Sequence, residues 1–197
     1  EWQRTSAHDA ASWDTRGWVG RDISRLWFRA EGEVEDSAVS PAQAHLLWGR
    51  SFARWWDVVA GVRQDFRPGT AQTWAAIGVQ GLAPYWFEVE ATAYVGESAR
   101  THARLEIEYE LLVTNRLVLQ PLVELELYGK DDPGRGIGSG LSTVEAGLRL
   151  RYEFRREFAP YLGWTWEQKF GATGDMAREA GDAIRSMNGQ TLLSIAD

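Results

Sequence analysis

The segments ARLEIEYELL (residues 103–112) and VLQPLVELELY (residues 118–128) decide the fold, because their side chains alternate between apolar and polar. In the first segment Leu105, Ile107 and Tyr109 share one face of a strand, and Arg104, Glu106, Glu108 and Glu110 share the other. A period of two is typical of a β-strand whose two faces meet different surroundings. The same pattern predicts seven further strands and a weaker tenth, at 23–33, 43–50, 57–66, 73–81, 86–95, 144–154, 161–170 and 183–195.

The connections between these strands fall into two classes. Short aromatic turns alternate with longer polar loops, as in outer-membrane barrels with short turns at one rim and long loops at the other. We therefore predict an all-β fold, a transmembrane antiparallel up-and-down β-barrel of ten strands with a polar lumen; eight strands are the alternative. Residues 1–14 are predicted as an N-terminal tail, and 15–197 as the single barrel. A short helix within 175–181 is a minor alternative to a loop.

A soluble, lipocalin-like barrel has the same period but turns its apolar face inward. Three features favour the membrane barrel: charged residues on the opposite face, aromatic residues near strand ends, and Trp55, Trp56 and Trp86 in the turns. Trp27 and Trp74 instead fall on the lumen side of the alternation. The longest uncharged segment, 68–87, contains prolines, glycines and glutamines that argue against a transmembrane helix.

The composition excludes other classes. The 197 residues carry a formal charge of −7, which argues against a nucleic-acid partner. The chain has no cysteine, so it has no disulfides, thiolate metal sites or cysteine nucleophiles. Ser142, His102 and Asp65 supply the residue types of a hydrolytic triad, but their spacing does not support one. We therefore predict that the protein is not an enzyme, with a lipid-modifying barrel enzyme as the least favoured alternative.

Several segments resemble the copper resistance protein B family: WDTRGWVGRDISRLWFRAEGE (13–33), IGVQGLAPYWFEVEATAYV (77–95) and GIGSGLSTVEAGLRLRYEFRREFAPYLGW (136–164), within a match over about residues 13–180. The resemblance implies a Gram-negative outer-membrane barrel that acts in copper tolerance with periplasmic copper-handling proteins. The Met/His-rich arm of the family has no counterpart before Trp13. The end TLLSIAD (191–197) lacks an alternating, aromatic-ended strand, so we expect an atypical last strand.

With this resemblance, His45 and His102 become candidate metal ligands, because both fall on the polar side of their strands. Together with nearby carboxylates they would hold Cu(II) transiently through nitrogen and oxygen donors. Met176, in a predicted loop at the outer mouth, would suit Cu(I), so the oxidation state stays open. The alternative is that the histidines are ordinary hydrogen-bonding groups of the lumen. His8 is expected in the tail.

The polar side of the strands also predicts a dense network of charges in the lumen. The simplest interpretation is a set of salt bridges that fills and stiffens a narrow barrel. The alternative is a path along which carboxylates exchange their arginine partners for a passing cation. The predicted members are Arg63, Asp65, Glu88, Glu90, Arg104, Glu106, Glu108, Glu124, Glu126, Arg149 and Arg151.

Two functions follow from the sequence. In the first, the barrel binds copper or lets it cross the outer membrane, with lipid, copper ions and a periplasmic copper-binding protein as its partners. In the second, the barrel is a docking platform, and the copper chemistry lies in the missing arm or in the periplasmic partner.

Overall fold

A computed structural model of the chain contains one antiparallel β-sheet, and the structure describes the backbone of residues 2–5, 10–21, 23–35, 38–67, 71–152 and 159–194. The strands are β1 Trp2–Thr5, β2 Ala10–Arg21, β3 Ser24–Glu35, β4 Ala38–Ala53, β5 Trp56–Arg67, β6 Gln72–Ala83, β7 Phe87–Gly96, β8 Thr101–Tyr109, β9 Leu111–Leu112, β10 Leu117–Tyr128, β11 Gly140–Tyr152, β12 Ala159–Lys169 and β13 Arg185–Ser194. Both β8 and the two-residue β9 pair with β10, so β9 prolongs β8 and the sheet has twelve principal strands.

The sheet has up-and-down topology. From β1 to β8 each strand pairs antiparallel with the next one, and β10 pairs with both β8 and β11. At the far end β13 pairs with β12 over ten residue pairs, from Ala159↔Ser194 to Gln168↔Arg185. It also pairs with β1 at Thr5↔Gln190. The predicted all-β, antiparallel, up-and-down architecture is confirmed.

The number of strands differs from the predicted ten. The two additional strands are β1 and β2, which occupy much of the segment 1–14 that the sequence predicts as a tail. The apolar–polar alternation in this segment is short, over residues 11–14, and the backbone hydrogen bonds that define its strands are made with neighbouring strands of the sheet. The same holds for β13, which forms a strand although it lacks the expected alternation. His8 lies outside the described residues.

The two faces of the sheet have opposite character. One face, here called the polar face, buries charged and polar side chains that are each less than a tenth exposed: His45, Arg63, Asp65, Thr92, His102 and Gln120. On the other, the apolar face, Ile77 is 61% exposed, Trp164 is 49% exposed and Leu148 is 42% exposed. This is the inverse of a water-soluble barrel, which turns its charges outward.

Trp27 and Trp74 lie on the polar face, where the alternation places them. Trp74 is 4% exposed and belongs to a small buried cluster with Leu47, Val59, Ala76 and Tyr94, against which Trp27 packs. Trp27 fits there because residue 49 is glycine: a Cβ at this position would lie 2.9 Å from the indole nitrogen of Trp27. The two rings therefore fill the inner side of the sheet.

The connections form two rims. The turn rim carries the short connections at residues 54–55, 84–86 and 113–116, and the loop rim carries 97–100, 129–139 and 170–184. Tyr85 and Trp86 both have positive φ (67° and 68°) in the three-residue turn between the paired residues Ala83 and Phe87, a backbone conformation that non-glycine residues adopt mainly in turns. At the loop rim, helix α1 (Gly171–Ala180) replaces the predicted loop. Of the described helices, none has the length and hydropathy needed to span a membrane.

Candidate functional site

Three aromatic rings form a stack on the polar face near the loop rim. The register sets Tyr94 directly opposite His102 on the next strand, and His102 opposite Tyr128 on the strand after that. The centroid of the His102 ring lies 5.0 Å from that of Tyr94 and 4.3 Å from that of Tyr128, with interplanar angles of 13° and 10°. His45 meets the other side of Tyr94 edge-on, with 6.1 Å between ring centroids. The structure therefore brings both predicted histidines against one tyrosine.

The hydrogen bonds of His102 fix its tautomer. Arg63 Nη1 lies 3.2 Å from His102 Nδ1, and a guanidinium only donates, so Nδ1 is the acceptor. The proton of the neutral ring is then on Nε2, which lies 3.6 Å from Glu126 Oε1, beyond hydrogen-bond length. A metal would reach the Nδ1 lone pair of His102 only after Arg63 moves away.

His45 is differently placed. Its side chain is 5% exposed, and its Nδ1 atom has no hydrogen-bond partner among the described residues. A buried ring nitrogen without a partner is unusual, because burial of an unsatisfied polar atom costs free energy. The Nδ1 atom of His45 is therefore more available to a metal than the Nδ1 atom of His102, which accepts from Arg63.

A chain of alternating charges connects Arg63 with the loop rim. Arg63 donates to both carboxylate oxygens of Asp65, and Trp74 Nε1 donates to Asp65 Oδ2 at 3.0 Å. Arg135, from the loop 129–139, approaches the same oxygen at 3.4 Å with a side chain that is only 7% exposed. Asp132 then accepts from Arg100 at 2.7 Å. The loop is thus anchored into the end of the polar face.

Two further contacts hold this loop in place. The backbone N–H of Gly138 donates to Thr173 Oγ1 of α1 at 2.8 Å, and Ser142 Oγ lies 2.8 Å from the same hydroxyl. The backbone N–H of Ser139 donates to Asp131 and lowers the pKa of this exposed carboxyl below its ordinary value. Loop 129–139 and α1 therefore pack as one cap over the loop rim.

A row of five glutamates crosses five neighbouring strands. The register sets the members directly opposite one another, in the order Glu90, Glu106, Glu124, Glu145 and Glu167. Like charges directly opposite one another are unfavourable, so this row needs cations. Arg104 Nη2 lies 2.7 Å from Glu124 and 3.2 Å from Glu106, and Arg29 reaches across from β3 to Glu90.

The remaining predicted charges are spread along the polar face. Arg151 Nη2 lies 3.3 Å from Glu110, and Arg149 lines a cavity of about 210 Å³ together with Glu106, Glu108 and Glu124. A second cavity, of about 630 Å³, opens near the turn rim and has Glu88 and Glu108 on one wall.

Met176 lies in helix α1 and not in a loop. It is half-buried in α1 at the loop rim, and no contact within the described residues joins it to His45 or His102. Among the described residues no group of three or more histidines, aspartates and glutamates has the geometry to hold a metal ion. The two histidines therefore do not form a complete metal centre in this conformation.

Sequence reasoning missed several residues of this region. Tyr94 and Tyr128 lie on the polar side of the alternation in their strands, as the predicted Trp74 does, and this position could have identified them. Glu145 and Glu167 also lie on the polar side of their strands, but only the strand register shows that they continue the glutamate row. Arg135 gave no signal, because it lies in a glycine-rich loop whose path depends on the rest of the fold.

Comparison with known proteins gives a consistent result. The family model described as "Copper resistance protein B precursor (CopB)" matches residues 1–190. Copper resistance protein B of Escherichia coli is 52% identical over 182 residues, and a copper resistance protein B homolog of Pseudomonas syringae pv. tomato is 55% identical over 179. The matches cover 92% and 91% of this chain but only 62% and 61% of the relatives. Neither relative carries an enzyme name.

Solved structures share the fold at low sequence identity. The NanC porin has a TM-score of 0.66 and 11% identity, with 100% of this chain and 98% of the porin covered. A membrane-protein structure from work on in-meso crystallization has a TM-score of 0.54 and 11% identity, with 98% of this chain and 80% of that chain covered. At this identity the likeness concerns the fold alone.

Proposed function

Because the chain belongs to the copper resistance protein B family, we propose that it is a Gram-negative outer-membrane barrel whose polar lumen binds copper and lets it cross the membrane. Three observations support the membrane barrel: the exposed apolar face, the pairing of β13 with β1, and the likeness to a porin. In this arrangement the twelve strands close on themselves. The apolar face meets lipid and the polar face lines the lumen.

The observation that carries the copper proposal is the placement of His45 and His102. Both are buried on the polar face against Tyr94, and the Nδ1 atom of His45 has no partner among the described residues. Copper would bind this nitrogen first. It would gain His102 when Arg63 gives up its hydrogen bond with His102 and keeps its contacts with Asp65. Imidazole nitrogens suit Cu(II), whereas Met176 would be a separate, Cu(I)-preferring contact at the loop rim.

The docking platform remains the second candidate, and one observation favours it. The described residues contain no complete metal-binding group of histidine and carboxylate side chains. The chain also spans only about three fifths of the length of its relatives. Under this alternative the barrel presents copper-binding segments or a periplasmic copper-binding protein at the membrane.

Copper entry into vesicles tests the proposed function. Purified protein is reconstituted into liposomes that enclose a copper-sensitive dye, and copper is added outside. We expect protein-dependent copper entry that is largely lost in the double variant His45→Ala, His102→Ala, because the lumen then lacks its nitrogen donors. The docking platform predicts the same entry rate for the wild type and the double variant, and that result would exclude the proposed role of the histidines. Unchanged potassium conductance in the variant shows that the barrel has assembled.

Loop 129–139 gives a second prediction. Replacing Arg135 by alanine removes the contact with Asp65 that holds the loop in the end of the lumen. We expect a severalfold larger single-channel conductance in planar lipid bilayers, because the loop no longer covers the opening. Lys130→Ala is the matched control, since this exposed lysine of the same loop donates to the carbonyl of Ser98 and forms no ion pair within the described residues. Equal conductance of Arg135→Ala and the wild type would show that the loop does not restrict the pore.

A further inference from the structure

The cavity of about 630 Å³ near the turn rim has walls of opposite charge. Strand β3 and the turn after β4 contribute arginines to one wall: Arg25, Arg29 and Arg54. Strands β7 and β8 contribute glutamates to the other: Glu88, Glu90, Glu106 and Glu108. Two strands separate the turn that carries Arg54 from β7, and three separate β3 from β7, so the arginines and the glutamates line the cavity from different parts of the sheet.

Part of this charge is compensated within the protein. Arg25 lies 3.7 Å from Asp57, Arg29 forms an ion pair with Glu90, and Arg104 forms one with Glu106. The register places Glu90, Glu106 and Arg104 farther from the turn rim than Glu88 and Glu108, whereas Arg25 and Asp57 form their pair at the rim itself.

Three charges at the mouth are left over. Within the described part of the chain no ion pair is formed by Arg54, Glu88 or Glu108. The guanidinium of Arg54 lies 5.4 Å from the centre of the Trp55 ring, which positions it without neutralising it. Glu88 stands directly opposite Glu108, so two carboxylates repel each other on the acidic wall. The mouth therefore offers one cation on one side and two anions on the other.

We propose that this cavity binds a small zwitterion, a molecule with an amine at one end and a carboxylate at the other, of which a short unblocked peptide is the simplest case. The amine would lie between Glu88 and Glu108, and the carboxylate would contact Arg54. A ligand with one charge is attracted by one wall and repelled by the other, whereas a zwitterion compensates both. The volume lies within the usual range of small-molecule sites.

This inference does not rest on copper binding, and metal-free buffer keeps the two questions separate. Full-length protein in detergent is titrated calorimetrically with three peptides of similar size: triglycine, N-acetyl-triglycine and triglycine amide. The first is a zwitterion, the second only an anion and the third only a cation. We expect triglycine to bind at least about tenfold more tightly than either blocked peptide, because each blocked form leaves one wall uncompensated.

Variants of the two walls test which end of the peptide each wall binds. The double variant Glu88→Gln, Glu108→Gln should bind triglycine no better than it binds the N-acetyl peptide, and Arg54→Gln no better than the amide. Arg116→Gln, an exposed arginine of the same rim outside the cavity, should behave as the wild type. Equal binding of the three peptides, no heat with triglycine, or unchanged selectivity in the cavity variants would overturn the proposal. Circular dichroism of each variant confirms that the sheet is intact.

Discussion

Val123→Arg lowers the free energy of unfolding in lipid vesicles by about 2–4 kcal/mol if the apolar face meets lipid, because a charge near the bilayer centre loses its hydration. Val123 lies in the middle of β10 and is 42% exposed on the apolar face. In a water-soluble barrel an exposed arginine at this position would change stability by only a few tenths of a kcal/mol. Denaturant titration of protein folded into vesicles, followed by tryptophan fluorescence, measures the difference.

The matched control is Val113→Arg. This valine is exposed to a similar extent, 52%, but lies in the turn after β9, where the head groups and water begin. Its replacement should cost about 0–1 kcal/mol, since the arginine stays hydrated near the interface. The same small effect at both positions would contradict a lipid-facing apolar face.

Arg104→Gln is the second change with a large expected effect. Arg104 joins Glu106 and Glu124, two members of the glutamate row, and removing it leaves their charges facing each other. We expect a loss of roughly 3 kcal/mol in the free energy of unfolding, as for other largely buried ion pairs that lose one partner. The loss should shrink in acid, where protonation of the carboxylates removes the repulsion. Denaturant titration in vesicles at neutral and acidic pH measures both effects.

Two comparisons isolate the contact. Arg116→Gln removes an exposed arginine from a turn and should change stability by less than about 0.5 kcal/mol. In the background of Glu124→Gln, Arg104→Gln should lower the free energy of unfolding clearly less than in the wild type, because only Glu106 then loses its arginine partner. If the cost is the same in both backgrounds, Arg104 does not stabilise the glutamate row through Glu124.

The alternation in 103–112 and 118–128 predicted the strands and their two faces correctly, since the period of two follows from strand geometry. It even placed Trp74 on the polar face, where it donates to Asp65. It missed β1, which has only four residues, and β2, whose alternation is limited to residues 11–14; the backbone hydrogen bonds of both strands depend on pairing within the sheet. A count of strands from alternation alone is therefore a lower bound.

The site was less accessible to sequence reasoning. The apolar–polar alternation placed His45 and His102 on the polar face, but the residues that lie opposite each other are set by the register of neighbouring strands. Only the register creates the stack of Tyr94, His102 and Tyr128 and aligns the five glutamates. Arg135 enters the site from a loop, and a loop conformation reflects the surroundings more than the local sequence.

Under the proposed function, Arg63 would control the access of copper to His102. Arg63 contacts both Asp65 and His102, so it occupies a ligand position that copper would need. Exchange of this arginine for copper would make binding reversible, which suits transient passage better than a tightly closed metal site. Under the proposed function, the salt bridges of the lumen and the cation path are two states of the same groups.

Electron paramagnetic resonance of Cu(II) added to the purified protein tests the central claim most directly. We predict a bound signal with hyperfine structure from imidazole nitrogen, lost in the double variant His45→Ala, His102→Ala and kept in His8→Ala, which removes the third histidine of the chain. A nitrogen-ligated signal that survives in the double variant, or no protein-bound copper in the wild type, would contradict copper binding by the two histidines of the lumen.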